Sequence, residues 1–315
     1  GGDTFLVFEG MSIAAAIAAA DEGDTILLGA GTFSLTGELT ISKGITLAGA
    51  GEGVTILDRD GSGYGIHVTT DDVTLSDFTL DASGLTTPGG YGIKVSPGGS
   101  ATSLSGFTAQ DVTVFGAARS EIDLNGVDDS SLIRVTADGG SGGSAGVGIA
   151  MSDSTGILLE DITTLNNNWG SVGLYSAGRS YEAGTSGITF AGSYSSNEVI
   201  GIYADEEVDS GSGQRTVVED IDFSGIYSEV FKVQNPDWRN GGDGRGEDFT
   251  FFFGSLEDAE AFAFSLTDNN GTDVSGSSVI SMAGTASDVD AEGGDTWYVY
   301  DGMSIQTIID LASAG

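Results

Sequence analysis

The hydrophobic pattern of the chain is one of short alternations broken by small polar residues, not of helical stripes. A four-residue pattern recurs as "GIHV" from Gly65, "GIKV" from Gly92, "EIDL" from Glu121, "GIAM" from Gly148, "GLYS" from Gly173, "GIYA" from Gly201 and "GIYS" from Gly225. Its apolar anchors are Ile66, Ile93, Ile122, Ile149, Leu174, Ile202 and Ile226, spaced 27, 29, 27, 25, 28 and 24 residues apart. A second apolar stretch follows each anchor, among them "VTLSDFTL" from Val73, "TSLSGFTA" from Thr102, "SSLIRVTA" from Ser130 and "ILLEDITT" from Ile157. Here Leu75/Phe78, Leu104/Phe107, Leu132/Val135 and Leu159/Ile162 hold equal relative positions. Gly, Asp, Ser and Asn supply the corners between stretches. Each strand is too short to bury a face alone, so units must stack ~4.8 Å apart along the hydrogen-bonding direction and cover one another. That predicts a parallel β-solenoid with the seven anchors in one buried column.

Only one early segment has helical spacing. "MSIAAAIAAADEG" puts Ile13, Ala16, Ile17 and Ala20 on one face, with Ser12 as N-cap and Gly23 as the stop. A helix there covers the open end of the coil, where unpaired strand edges would invite aggregation. The stretches "SIAAAIAAADEGDTILLGAGTF" and "ITLAGAGEGVTILD" resemble the entry segment of right-handed parallel β-helix proteins of the pectin-lyase-like superfamily. The resemblance runs from about Met11 to Phe231. It implies an all-β, right-handed parallel β-helix with a short N-terminal capping α-helix. It does not choose a function, because the superfamily holds lyases, hydrolases, esterases, epimerases, phage tailspikes and adhesins. The chain then divides into an N-terminal strand and capping helix (1–23), regular coils (24–234), irregular coils or a small β extension (235–292), and a final stretch (293–315) that repeats the first.

Composition narrows the partners. With 10 Lys plus Arg against 47 Asp plus Glu, the net charge is −37, which repels nucleic acid and anionic lipid. Fifty-two Gly against three Pro suit a chain that turns every few residues. There is no Cys, and no apolar run reaches the ~18 residues of a membrane span. A secreted protein of the cell exterior, screened by salt or calcium, fits these features.

Signatures for chemistry are sparse. The Asp-Pro-His-Glu motif of mannuronan epimerases is absent. The stretch "EDFTFFFGS" (Glu247 to Ser255) looks like one motif of the pectin methylesterases but lacks its partner motifs. Alternation places the residue after each anchor outward, giving a column of His67, Lys94, Asp123, Ala150, Tyr175, Tyr203 and Tyr227. Tyrosines there could hold an extended sugar chain, each ring offering an apolar face and a hydroxyl. Lys94 beside Asp123 and His67 could perform acid–base work, or form an adjacent-coil ion pair that only stabilises the sheet. Oxygen-rich loops containing Asp58 and Asp60, Asp205 and Asp209, and Asp268, Asn270 and Asp273 are candidate Ca²⁺ ligands; ordinary Asx-turns would use the same residues.

The chain also begins twice. "GGDTFLVFEGMSI" from Gly1 returns as "GGDTWYVYDGMSI" from Gly293, and extended to Gly315 the copies match at 12 of 23 positions. The second copy brings Trp297, Tyr298, Ile305, Ile308 and Ile309, apolar residues that need a surface. Further copies of the same unit, in tandem or head to tail, are the expected partners. Two functional classes follow. One is a structural or adhesive surface solenoid (a filament, surface layer or adhesin). The other is a carbohydrate-active enzyme, lyase- or epimerase-like, or a glycan-binding module using the outward column on extracellular polysaccharide.

Overall fold

The computed structural model describes residues 2–98, 103–142, 146–168, 170–176, 185–196, 202–206, 218–226, 230–234, 249–253, 278–282 and 285–286. They form a β-solenoid in which successive coils pair in parallel. Each regular coil gives a short strand to one sheet, sheet B, and a longer strand to the other, sheet A. Sheet B runs through Leu39–Ile41, Ile66–Val68, Ile93–Val95, Ile122–Asn125, Val147–Ser152, Gly170–Ser176, Ile202–Glu206 and Val230–Gln234. Sheet A begins with Thr4–Val7, Thr25–Leu28 and Thr46–Ala48. It continues through Thr74–Gly89, Thr108–Phe115, Val127–Asp138, Thr155–Leu165, Thr185–Ser196 and Val218–Ile226.

The interior is a set of stacked columns. In sheet A, Ile26, Leu47, Leu75, Ala109, Leu132, Leu159 and Phe190 lie in one register through seven coils, all buried. In sheet B the column is Leu39, Ile66, Ile93, Ile122, Ile149 and Val172, again all buried. Each of the larger side chains, Ala109 apart, contributes roughly 1.5–3 kcal/mol of transfer free energy, collected only once neighbouring coils are in place.

Three expected positions are corrected. Val172, not Leu174, stacks on Ile149; Leu174 pairs with Met151, two residues along the strand. Both face inward because period-two alternation puts residues two apart on the same side, and the seven-residue strand Gly170–Ser176 offers both. Ile226 belongs to sheet A, opposite Gly192. In the coil after Val95, Ala109 and Val112 take the stacking positions, while Leu104 pairs earlier in the coil, with Val127.

Apolar residues three apart share the interior in sheet A, which strict alternation forbids. The reason is a left-handed residue between them. Asp77, Asp111, Arg134 and Asp161 have φ of 60°, 52°, 50° and 55° at equivalent places, and Gly192 continues the row at 69°. Each turns the strand, so the apolar residues on either side of it, such as Leu75 and Phe78 around Asp77, both reach the interior. Asp is among the few side chains that enter this region at modest cost, because it can hydrogen-bond locally. Where the row reaches Gly192, the Asp161 carboxylate fills the space a Cβ would occupy, 2.4 Å away.

The first coil is closed by the helix Ile13–Ala19. Ser12 caps it, its hydroxyl accepting from Ala15 N at 3.1 Å, and Ile13 and Ile17 are buried. The other end lacks basic residues of its own. Lys43 supplies them from the next coil, donating to the carbonyls of Ile17, Ala18 and Ala20 at the negative pole of the helix. At the far end the parallel pattern changes. Phe249–Phe253 runs antiparallel to Val230–Gln234, Ser278–Met282 pairs in parallel beyond it, and Thr285–Ala286 runs antiparallel to Val218–Ile226.

Candidate functional site

The outer face of sheet B brings polar and aromatic groups together on a chain with one His and few cations. Pairing registers place Thr40, His67, Lys94, Asp123, Ala150, Gly173 and Tyr203 in one column. His67, Lys94, Asp123 and Tyr203 therefore stand where the sequence places them. Tyr175 does not: it lies two residues along its strand, opposite Ser152 and Asp205, for the same reason that Leu174 does not follow Ile149. Tyr227, Asp209, Asp268, Asn270, Asp273, Trp297, Tyr298, Ile305, Ile308 and Ile309 lie outside the described residues.

Close backbone approach at the start of each sheet-B strand explains the repeated "GI". A Cβ on Gly92 would come 2.3 Å from Val114 Cγ1 and 2.6 Å from the Glu121 carbonyl oxygen. The glycine lets Ile93 turn inward and Lys94 outward directly at the corner. Lys94 Nζ then donates to Asp123 Oδ2 at 2.7 Å on the adjacent coil. Although both point away from the core, their side chains are only 10% and 7% exposed. The two charges are thus committed to each other in a sheltered place.

One coil earlier, His67 bridges two groups. Its Nδ1 lies 3.1 Å from Glu38 Oε1 and its Nε2 3.0 Å from Ser96 Oγ. Tyr64 meets the imidazole edge-on at 4.9 Å and Tyr91 at 5.9 Å, so two half-buried rings stand on consecutive coils. Tyr91 also carries cations: Lys94 Nζ lies 5.3 Å from the ring centroid and the exposed Arg119 guanidinium 4.9 Å. Tyr64, Tyr91, Arg119, Glu38 and Ser96 are members of the site that column reasoning missed. Tyr64 and Tyr91 each stand just before a "GI" corner, at Gly65 and Gly92, and that shared position was the available signal.

The calcium candidates look different. Asp58 pairs with Asp81 of the next coil, and its carboxyl is pushed above the ordinary range, first by burial and then by Asp60 and Asp81. Among the described residues, no three His, Asp or Glu side chains converge as a metal-holding group.

Similarity in shape is consistent with this geometry. The polygalacturonase of Erwinia carotovora ssp. carotovora superimposes over 75% of this chain and 78% of its own, with a TM-score of 0.50 and 13% identity. The chain shares the right-handed parallel β-helix fold of that protein. Two further solved structures superimpose with lower TM-scores. Pectate lyase Pel9A covers 96% of this chain and 93% of its own at a TM-score of 0.44 and 15% identity. A mannuronan C-5 epimerase A-module of Azotobacter vinelandii (AlgE6) covers 72% and 84% at 0.40 and 16%. No protein-family model matches this β-helix, and no curated protein matches it in sequence. No helix among its described residues is long and apolar enough to cross a membrane.

Proposed function

We propose that this β-helix is an extracellular adhesive module that holds a saccharide chain on the outer face of sheet B without turning it over. The observation that carries the reading is the pair of half-buried rings, Tyr64 and Tyr91, on consecutive coils beside His67, Lys94 and Arg119. A ring face accepts the C–H side of a pyranose, and the Ser96 hydroxyl and Glu38 carboxylate, both held by His67, offer hydrogen bonds to sugar hydroxyls. Arg119 adds a planar fork suited to a sugar carboxylate on a surface that is otherwise acidic. Binding is favoured over turnover because Lys94 and Asp123, the best-placed acid–base pair, are spent on each other in a sheltered position.

A panel of neutral and carboxylated oligosaccharides, tested with the whole chain, decides the matter. The expected result is binding that weakens at least tenfold in Tyr91→Ala, with no change in the saccharide. Release of unsaturated uronides absorbing in the near ultraviolet would replace the adhesive reading with a lyase. Binding that ignores Tyr64→Ala and Tyr91→Ala together would remove this face from consideration.

A further inference from the structure

The N-terminal end of the solenoid gathers most of the large apolar side chains exposed among the described residues. Leu6, Phe8 and Met11 are 59%, 59% and 57% exposed, and Leu27, paired with Leu6 on the next strand, is 38% exposed. These are four of the five large apolar side chains exposed among the described residues. They form one patch: Met11 N donates to the Phe8 carbonyl at 2.9 Å, and Phe8 lies against Gly29. Beside them, Thr4–Val7 is the outermost strand of sheet A and pairs only with Thr25–Leu28 among the described residues. An open strand edge with apolar side chains beside it is a template for another strand.

The sequence says what covers it. The copy at 293–315 repeats the residues that the structure gives a job in the first: Val7, Ser12, Ile13, Ile17 and Ala20 return as Val299, Ser304, Ile305, Ile309 and Ala312. Four of the first set are buried, and Ser12 is the helix cap. The exposed positions drift in identity but stay apolar or aromatic, Leu6, Phe8 and Met11 returning as Tyr298, Tyr300 and Met303. Within this one chain, a second copy of that sequence therefore follows the strands Ser278–Met282 and Thr285–Ala286 in chain order.

We infer that the N-terminal patch of Leu6, Phe8 and Met11, with the open edge of Thr4–Val7, docks the last coils of a second copy of this chain, joining units end to end. The second copy of the sequence, on the same chain, is the natural competitor for those last coils. The test therefore weakens that competitor with Ile305→Asp and Ile309→Asp and follows self-association by sedimentation velocity from micromolar to millimolar protein. Association that rises with concentration is expected, and adding Leu6→Asp and Phe8→Asp should abolish it. Since Leu6 and Phe8 are exposed, far-ultraviolet circular dichroism should not change; if it does, the milder Met11→Glu is used in their place and must weaken association. A chain that stays monomeric with the tail weakened overturns the inference. So does association that survives the patch substitutions. Saccharide binding is measured on the same samples, and its loss or survival does not bear on this interface.

Discussion

Replacing Lys94 by Met should be the costliest single change on the outer face of sheet B. The side chains of Lys94 and Asp123 are 10% and 7% exposed and 2.7 Å apart. Removing the ammonium leaves a carboxylate in a sheltered site with its cation gone, and breaking a buried pair from one side typically costs about 3–5 kcal/mol. An exposed pair would cost no more than about 1 kcal/mol. Replacing both partners together, Lys94→Met with Asp123→Leu, removes the stranded charge and should return stability to near that of the parent. Urea unfolding followed by far-ultraviolet circular dichroism measures all three chains. Slopes must be compared as well as midpoints, because a stacked solenoid can unfold in stages. A Lys94→Met cost below about 1 kcal/mol would refute the claim that the pair is sheltered and committed. A double variant as unstable as the single would refute the claim that a stranded charge is the cause.

Other consequences are open to measurement. Gly192→Ala should lose about 1–2 kcal/mol for a left-handed backbone, and more because its Cβ displaces the Asp161 carboxylate from the Ser193 N–H. Adding Asp161→Gly should recover the second part only, so additive losses would sink the proposed packing of Asp161 against Gly192. Acid should destabilise the fold. The Asp24 carboxylate is held below its ordinary 3.8 by the Asp21 and Asp3 N–H groups, Asp111 by Arg134, and Asp161 by Ser193. Their stabilisation is complete above the ordinary value and is lost as pH falls through the depressed folded values, so unfolding free energy should drop below about pH 4. Asp58 has the opposite sign. Its raised pKa means the folded chain disfavours the ionised form, so Asp58→Asn should stabilise at neutral pH and cease to matter in acid. A benefit that persisted in acid would point to packing instead.

The architecture was legible because stacking repeats the same demand in every coil. Ile66, Ile93, Ile122 and Ile149 share one register, and a spacing of 27 or 29 residues between apolar anchors is enough to find it. Reading faltered where two residues satisfied the same demand. Val172 and Leu174 are both inward, and only the backbone pairing says which one stacks on Ile149. In the Thr108–Phe115 strand, small Ala109 stands where other coils have Leu, so the larger Leu104 and Phe107 attracted the alignment. The site was half legible. The His67, Lys94 and Asp123 column follows from alternation alone. Tyr64, Tyr91 and Arg119 sit on corners, where alternation stops and the path of the turn decides which way a side chain goes. Burial of the Lys94–Asp123 pair was likewise beyond a pattern of in and out, since an outward position on a sheet can still be covered.

The central claim is that the rings of Tyr64 and Tyr91 mark a saccharide-binding face, and hydrogen exchange locates such a face directly. Mass-spectrometric exchange on the whole chain, with and without the tightest-binding oligosaccharide of the panel, should show slowed exchange confined to the segments around Tyr64–Thr69, Tyr91–Ser96 and Arg119–Asn125. Protection elsewhere, or none at saturating saccharide, would contradict the account.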